Sequence, residues 1–354
     1  MKSPMILLAP LLIVLLASCG IQRKDNAIGE SDIITIICDS MDYALLEDVI
    51  ENAFAQPFFT PQPETWFRLL RYDLADLLER KRDRNILILA ALDADHALGE
   101  YMRGALDADV RKLVDDGKEH VFVQKDLWYR GQVVSHLTAR SIAELGDYLL
   151  TNGPKLEYYF RQAWDERERA RMLNLPREEE VEAHLRSEYA FSLAVIRNWF
   201  IAKDSSEINT VLLRRQHPAH TERWLMVHWM DTTNTALLTS SFALELRDRL
   251  TEILYRTYDD STWAVVDTVN HLQFDEVNFQ DRFAIRMKGL WRMQDFSMGG
   301  PFVSYLFYDE TQQRIYFLDG SVFAPRYEKK KLIQDVDVMM KTFVTASDDL
   351  GETG

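Results

Sequence analysis

The N-terminal segment constrains this chain most, because it decides where the folded part begins and which covalent links can support it. Lys2 is followed by an apolar run from Met5 to Leu16 and then by Ala17-Ser18-Cys19. A basic residue, a short apolar run and small residues at a cleavage site are typical of a secretory signal peptide. Because a cysteine follows directly, the segment predicts a lipoprotein in which residues 1–18 are the signal peptide and Cys19 carries acyl chains such as palmitate.

A transmembrane anchor is the alternative, and the apolar run is too short for it. A spanning helix needs about 20 apolar residues, whereas this run is shorter and holds Pro10. Each buried methylene contributes about 0.8 kcal/mol, so two or three acyl chains would hold the protein firmly in a membrane. Gly20-Ile21-Gln22-Arg23-Lys24 contains neither an aspartate directly after Cys19 nor an acidic run. We therefore expect the outer membrane, with the protein facing the periplasm.

Composition narrows the partners and the sources of stability. The formal net charge is −15, and loss of the signal peptide with its single lysine makes the mature chain −16. So acidic a chain is a poor partner for nucleic acid and for anionic lipid surfaces. Cys38 is the other cysteine. Because acylation of Cys19 leaves Cys38 without a disulfide partner, we expect a buried thiol and a fold stabilised by its hydrophobic core.

Strands and helices alternate along the first half of the mature chain. Apolar runs predict strands, and apolar residues at helical spacing predict helices. Ser141-Ile142-Ala143-Glu144 is a capping box that predicts a helix start, and Asn152-Gly153-Pro154 is expected to end that helix before a second one begins at Lys155. The predicted strands are 33–38, 85–92, 121–123 and 132–139, and the predicted helices are 42–54, 107–118, 142–150 and 155–172.

The second half shows the same alternation with hairpins. The predicted strands are 191–202, 210–214, 223–230, 283–291, 302–308 and 314–318, and the predicted helices are 241–255 and 327–343. The spacing is not that of a doubly wound fold, so the sequence predicts an α+β fold with antiparallel or mixed sheets and packed helices. Both halves begin with strands and end with a helix, which suggests two similar halves, although no residue-level repeat is found.

The domain organisation follows from these patterns. After the signal peptide, residues 19–31 are predicted to be a polar tether, residues 32–174 the N-terminal half and residues 175–345 the C-terminal half. Residues 346–354 are predicted to be a disordered tail. The charged helices on either side of Leu175-Pro176 mark the expected boundary between the halves.

Short motifs in both halves are similar to those of one known family. They are Gly289-Leu290-Trp291, Met298-Gly299-Gly300-Pro301-Phe302, Gly320 with Ala324-Pro325, Lys329 to Lys331, Arg84-Asn85-Ile86-Leu87, Trp128 with Gln132, and Leu212-Leu213-Arg214-Arg215. Over nearly the whole mature chain, the sequence thereby resembles the DUF4837 family of Bacteroidetes-type lipoproteins. The resemblance implies a lipid-anchored envelope protein. The family's function is unknown, so no catalytic residues carry over.

An acidic cluster after the second strand is the most site-like group. Asp93-Ala94-Asp95-His96 lies where functional side chains often occur, on a loop at a strand end, but it lacks the spacing of a calcium loop. No metal site is predicted. Trp128 and Trp291 are further candidates for a ligand or partner surface, because each lies beside a family-like motif and an arginine.

Gly299-Gly300-Pro301 has two interpretations. It could be a backbone nest for an anion, but the Lys-Ser or Lys-Thr of a phosphate loop does not follow. A tight turn is favoured, with positive φ at Gly299 or Gly300 before a strand at Phe302.

Common enzyme motifs do not occur in the sequence. There is no nucleophile elbow, zinc-protease helix, dinucleotide glycine loop or β-lactamase serine-lysine motif, and no cofactor is predicted. Carboxylate pairs that only the fold assembles leave no spacing pattern. We therefore expect a non-catalytic binding or accessory module of the cell envelope, with an envelope protein or glycan as partner. The alternative is an enzyme acting on envelope glycans, peptides or lipids.

Overall fold

The structure is a computed structural model that describes residues 24–62, 64–345 and 348. The predicted signal peptide, Cys19 and, apart from Asp348, the predicted tail 346–354 lie outside the described residues. Among the described residues, no helix combines the length and the apolar character needed to cross a bilayer.

The N-terminal half is built on a five-stranded mixed sheet. Its elements are β1 (Ile33–Ile37), α1 (Ser40–Phe54), β2 (Pro57–Phe58), β3 (Glu64–Thr65), β4 (Arg68–Tyr72), α2 (Leu77–Arg80), β5 (Asn85–Leu89), α3 (Ala97–Ala105), α4 (Ala108–Asp115), β6 (Val121–Lys125), β7 (Val133–Leu137) and α5 (Ile142–Leu173). The strand order is β4-β1-β5-β7-β6, with β6 alone antiparallel to its neighbour. The strands β2 and β3 form a separate hairpin.

Helices cover both faces of this sheet. One face packs against α1 and α5 through side chains that include Leu46, Ile50 and Phe160. The other packs against α3 and α4 through Leu98 and Met102, among others. Burial on both faces explains why the central strands are continuous apolar runs rather than alternating ones. Cys38 follows β1 and is buried and free, as expected, and burial raises its pKa to about 12.

Helix α5 corrects the prediction that Asn152-Gly153-Pro154 ends a helix. The helix continues through Pro154 to Leu173. Gly153 packs against Ala53 of α1 so closely that a Cβ would lie 2.8 Å from the Ala53 Cβ. The helix buries Leu145, Leu149, Leu156 and Phe160, and each side chain of this size contributes about 1.5–3 kcal/mol. Their sum exceeds the cost of about 3 kcal/mol for an interior proline, so tertiary packing overrides the local stop.

The described part of the predicted tether, residues 24–31, is not free. Lys24 donates through Nζ to the carbonyls of Asp126 and Leu127, at 2.6 and 3.0 Å. The backbone N–H of Ala27 donates to the Arg130 carbonyl, and Ala27 is buried. Residues 24–31 therefore lie on the N-terminal half, because their backbone groups find partners there that a free tether would leave to water.

The C-terminal half is built on an eight-stranded antiparallel sheet. Its elements are α6 (Glu179–Tyr189), β8 (Phe191–Ser192), β9 (Phe200–Ser205), β10 (Thr210–Arg215), β11 (Glu222–Asp231), α7 (Ser240–Leu254), β12 (Ala264–Val266), β13 (Leu272–Phe279), β14 (Arg282–Met293), β15 (Gly299–Asp309), β16 (Arg314–Phe323), α8 (Lys330–Met340) and β17 (Val344–Thr345). The order is β12-β14-β15-β16-β11-β10-β9, and β13 also pairs with β14.

Two features of this half differ from prediction. The strand predicted over 191–202 is divided into β8 and β9, because Leu193, Val195 and Trp199 of the connecting segment enter the core under α8. The two halves also have different topologies, one largely parallel and one antiparallel. The α+β prediction with mixed and antiparallel sheets is confirmed, whereas the suggestion of two similar halves is wrong. Similar element order does not imply similar strand pairing.

Candidate ligand-binding cleft

A cavity of about 500 Å³ lies between the two halves. The N-terminal half contributes the β2–β3 hairpin and the middle of α5, and the C-terminal half contributes strands β13 to β15 and helix α8. Its volume falls within the range of small-molecule sites, about 300–1,000 Å³. We call this cavity the inter-half cleft.

Polar contacts fix the walls of the cleft relative to each other. The Glu64 carboxylate accepts from the backbone N–H groups of Lys329 and Lys330, at 2.9 and 3.0 Å. These amides lie at the N-terminus of α8, where unpaired donors favour an anion. Lys330 in turn donates through Nζ to the carbonyls of Thr65 and Trp66. The hairpin of one half thus caps a helix of the other.

Aromatic side chains form one wall and part of the rim. Phe58 and Trp66 pack edge to face with their ring centroids 4.9 Å apart, and the Arg161 guanidinium lies 4.1 Å from the Trp66 ring centre. At the rim, Phe59 of the N-terminal half stacks on His271 of the C-terminal half. These rings offer flat apolar surface to an organic ligand.

The acidic groups of the cleft are engaged by Lys341. Its Nζ lies 2.8 Å from an Asp337 carboxylate oxygen and 3.3 Å from one of Asp165. The Tyr305 hydroxyl donates to Asp337 at 2.6 Å. Burial alone would raise the pKa of Asp337, but Lys341 and the Tyr305 hydroxyl hold it below its ordinary value. This cluster joins α5, α8 and β15, and the single charge of Lys341 is shared between its two carboxylates.

Lys288 is the cation with the weakest partner in the cleft. Its Nζ lies 3.8 Å from Asp275, whose same oxygen already accepts from Arg286 at 2.8 Å. The Lys288 side chain is 32% exposed. Burial, together with the neighbouring Arg286, lowers its pKa from 10.5 to about 8. The amino group therefore lies in a site that favours an additional negative charge.

The acidic cluster predicted from sequence lies elsewhere, beyond the carboxyl end of β5. His96 caps α3: its Nδ1 accepts from the Gly99 N–H at 3.2 Å, and its Nε2 lies 3.0 Å from an Asp42 carboxylate oxygen. Asp39, Asp42 and His96 place three ligand atoms within 4.8 Å of one another. However, Nδ1 uses its lone pair to accept the hydrogen bond from Gly99, so Nε2 carries the proton and donates to Asp42. Neither ring nitrogen then has a lone pair to offer to a metal, and His96 acts as a helix cap. Asp93 and Asp95 lie on the same loop and do not line the inter-half cleft.

Trp128 lies at the opposite end of the same sheet. It is on the loop between β6 and β7, and the Lys81 amino group is 5.3 Å from its ring centre. Its backbone N–H donates to the Gln132 side chain. The predicted surface that combined Asp93, Asp95 and His96 with Trp128 is therefore not one site.

Trp291, Gly299 and Gly300 form a third location, in the core of the C-terminal half. Gly299 and Gly300 are strand residues of β15 without positive φ, so the predicted tight turn is wrong. A Cβ on Gly300 would lie 1.9 Å from the Val322 carbonyl oxygen. Trp291 is buried, and its indole Nε1 donates to that same oxygen at 3.2 Å. The glycines are required by close packing around Trp291, not by a turn or an anion.

Sequence reasoning missed the residues that line the cleft. Arg286 and Lys288 are two residues apart on a strand, so they point to the same face. Two cations on one face of a strand could have indicated an anion-binding surface. The aromatic wall gave no comparable pattern, because Phe58 and Trp66 line one cavity with Phe302 only when the two halves pack.

Two family profiles together cover most of the chain. Residues 27–173 match DUF8532 and residues 178–342 match DUF4837, each described as a domain of unknown function. The resemblance to DUF4837 is confirmed in the second half, whereas the motifs around Arg84 and Trp128 fall within the DUF8532 match. No curated protein matches the sequence.

Three solved structures each match less than half of the chain. A protein from Bacteroides thetaiotaomicron is 9% identical with a TM-score of 0.26, and the match covers 44% of this chain and 45% of that one. The Ran-binding protein Mog1p of Saccharomyces cerevisiae is 14% identical, with a TM-score of 0.28 and coverage of 44% and 90%. LpqN of Mycobacterium tuberculosis, involved in cell envelope biogenesis, is 12% identical, with a TM-score of 0.27 and coverage of 44% and 82%. Similarity this low indicates no function.

Proposed function

Because the chain carries a DUF8532 domain followed by a DUF4837 domain, both of unknown function, we propose a function from the cleft between them. The protein is a lipid-anchored envelope binding module, held in the outer membrane through Cys19 and facing the periplasm. Its inter-half cleft binds an organic anion that has an apolar body. The observation that carries this proposal is the pairing of an aromatic wall with the poorly neutralised ammonium of Lys288.

The contacts favour binding over catalysis. A catalytic site needs ionisable groups free to exchange protons with a substrate. Here Lys341 joins Asp165 to Asp337, and Arg286 holds Asp275. Arg161 pairs with Glu157 and lies over the Trp66 ring. Lys288 is therefore left without a free carboxylate beside it with which to exchange protons. The alternative of an envelope enzyme at Asp93, Asp95, His96, Trp128 and Trp291 loses its support, because those residues lie at three separate places.

A pair of dyes tests the cleft and its charge. Anilinonaphthalene sulfonate (ANS) is an anion on an aromatic body, and N-phenylnaphthylamine is the same body without the sulfonate. We expect Lys288→Met to weaken ANS binding about tenfold, the loss typical of one charge-assisted contact, and to leave the neutral dye unchanged. Lys155→Met, an exposed lysine on α5, is the matched control.

A cleft-filling variant separates the two parts of the proposal. Gln162 lines the cleft from α5 and is exposed, so Gln162→Trp should abolish binding of both dyes. Unchanged ANS binding in Lys288→Met, with loss of both dyes in Gln162→Trp, would contradict the anion preference alone. Unchanged dye binding in Gln162→Trp would contradict the cleft as a binding site.

The anchor is tested by metabolic labelling with alkyne-tagged palmitate in the native host. The wild-type chain and Cys38→Ser should be labelled and Cys19→Ser should not. Protease added to intact cells should leave the protein whole until the outer membrane is permeabilised. Labelling of Cys19→Ser would refute the anchor, and digestion without permeabilisation would refute the periplasmic orientation.

A further inference from the structure

The surface where the chain leads back toward Cys19 is basic. It contains Lys24, Lys81, Arg82, Arg84 and Arg130, which we call the anchor-proximal patch. Backbone hydrogen bonds bring these segments together: the Ile28 N–H donates to the Arg82 carbonyl at 2.8 Å, and the Arg130 N–H donates to the Asp25 carbonyl at 2.8 Å. The patch therefore belongs to one surface of the N-terminal half.

The side chains of the patch contact neutral groups. Lys24 donates to two backbone carbonyls, Arg84 to the Ser31 hydroxyl, and Arg130 to the Asn26 side chain. The other two lie over aromatic rings: the Lys81 amino group is 5.3 Å from the ring centre of Trp128, and the Arg82 guanidinium is 5.4 Å from that of Tyr129. The positive charges are consequently available to an outside partner.

The segments that carry these cations, residues 24–31, 81–84 and 126–130, also carry four carboxylates. Asp83 accepts from the Thr35 hydroxyl, and Asp126 accepts from the Gly131 N–H. The other two are the exposed Asp25 and Glu30. Five cations against four carboxylates leave the patch net positive, on a chain whose formal charge is −15.

The number of residues between Cys19 and Lys24 limits how far this surface can lie from the anchor. Lys24 is held on the domain by its contacts to the loop between β6 and β7. The five residue steps from Cys19 to Lys24 span at most about 18 Å when fully extended. Electrostatic attraction to a surface falls off over about 8–10 Å at physiological salt, so an acylated Cys19 keeps Lys24 within about two such lengths of the membrane.

We propose that the anchor-proximal patch docks on the headgroups of a bilayer that contains anionic phospholipid. Basic side chains beside Trp and Tyr are the combination found at membrane interfaces. The inference rests on the proposed acylation of Cys19 for its distance argument. It also revises the expectation, drawn from net charge, that anionic lipid surfaces are poor partners, because charge is distributed unevenly over the surface.

The test uses the mature chain with Cys19→Ser, so that docking is measured without the acyl chains. Vesicles of phosphatidylcholine with phosphatidylglycerol should co-sediment the chain at low salt, and vesicles of phosphatidylcholine alone should not. Lys81→Gln with Arg82→Gln should weaken binding more than tenfold, at about fivefold for each charge near the surface. Raising the salt concentration to about 1 M should abolish it, because the screening length falls to about 3 Å.

The matched control removes two exposed cations from the C-terminal half, Lys203→Gln with Arg249→Gln. This pair should bind as tightly as the unsubstituted chain. Equal loss in both double variants, or no loss in the patch variant, would overturn the inference. Palmitate labelling of Cys19 reports separately on the anchor, so failure of the anchor and failure of the patch give different results.

Discussion

At the scale of single residues, Lys288 determines how the cleft should respond to pH. Burial and Arg286 lower its pKa to about 8, and a bound anion favours the charged amine. ANS binding should therefore be constant below about pH 8 and fall above it, by up to about tenfold per pH unit.

The ionisable groups that face Lys288 are Arg286 on β14, Asp275 on β13, Asp337 on α8, Arg161 on α5 and His271 beside β13. Carboxylates and guanidinium groups ordinarily titrate well outside the range of pH 7 to 9. Burial lowers the pKa of His271 from 6.5, which moves its titration away from that range as well.

The measurement is the dissociation constant of ANS between about pH 7 and 9. Lys288→Met should give a flat profile at weaker affinity. A profile for Lys288→Met that falls in the same way as that of the wild type would show that another group is responsible.

Gly300 gives a stability prediction at the same scale. Its absent Cβ leaves room for the Val322 carbonyl, which a methyl group would approach to 1.9 Å. Gly300→Ala should lower the free energy of unfolding by about 1–3 kcal/mol or more, as overpacked cores do. Gly104→Ala on α3 is the control, because nothing lies within 4 Å of its Cβ position. That variant should be neutral or up to about 1 kcal/mol more stable. Chemical denaturation measures both.

At the scale of elements, α5 shows how tertiary contacts override local sequence preference. Pro154 cannot donate to the Leu150 carbonyl, and Leu150 is exposed, so water can satisfy that oxygen. Pro154→Ala should raise the free energy of unfolding by about 1–3 kcal/mol, since it restores the bond and removes the ring clash. Lys155→Ala, one residue later and exposed, should change stability by less than about 0.5 kcal/mol. A destabilised Pro154→Ala would mean that the proline has a packing role.

At the scale of the whole molecule, the halves are joined through Glu64. Its carboxylate accepts from the Lys329 and Lys330 amides at the start of α8. Glu64→Ala should lower the free energy of unfolding by about 0.5–2 kcal/mol, as does loss of a helix cap. It should also speed hydrogen exchange at those two amides. Glu245→Ala, exposed on α7, is the control. If exchange at the two amides were unchanged in Glu64→Ala, the cap would not couple the halves.

The sequence by itself determined those elements whose pattern lies in neighbouring residues. Apolar runs located β1, β5, β7 and the hairpin of β15 and β16, because burial of strands leaves a pattern in adjacent residues. The capping box at Ser141 located the start of α5, and motif similarity identified the DUF4837 domain. The polar cluster from Asp93 to His96 resembled a site because its residues are adjacent in the sequence. The sequence does not show which distant residues surround such a cluster in the fold.

Only the tertiary structure decided which distant residues meet. It continued α5 through Pro154, placed Gly300 under the Val322 carbonyl and assembled the cleft from Phe58, Lys288 and Asp337. It also gathered Lys24, Lys81 and Arg130 onto one surface of the N-terminal half, within a chain of net negative charge. The physical reason is the same throughout. Packing free energy and local charge depend on contacts between residues far apart in sequence, and no spacing rule records those contacts.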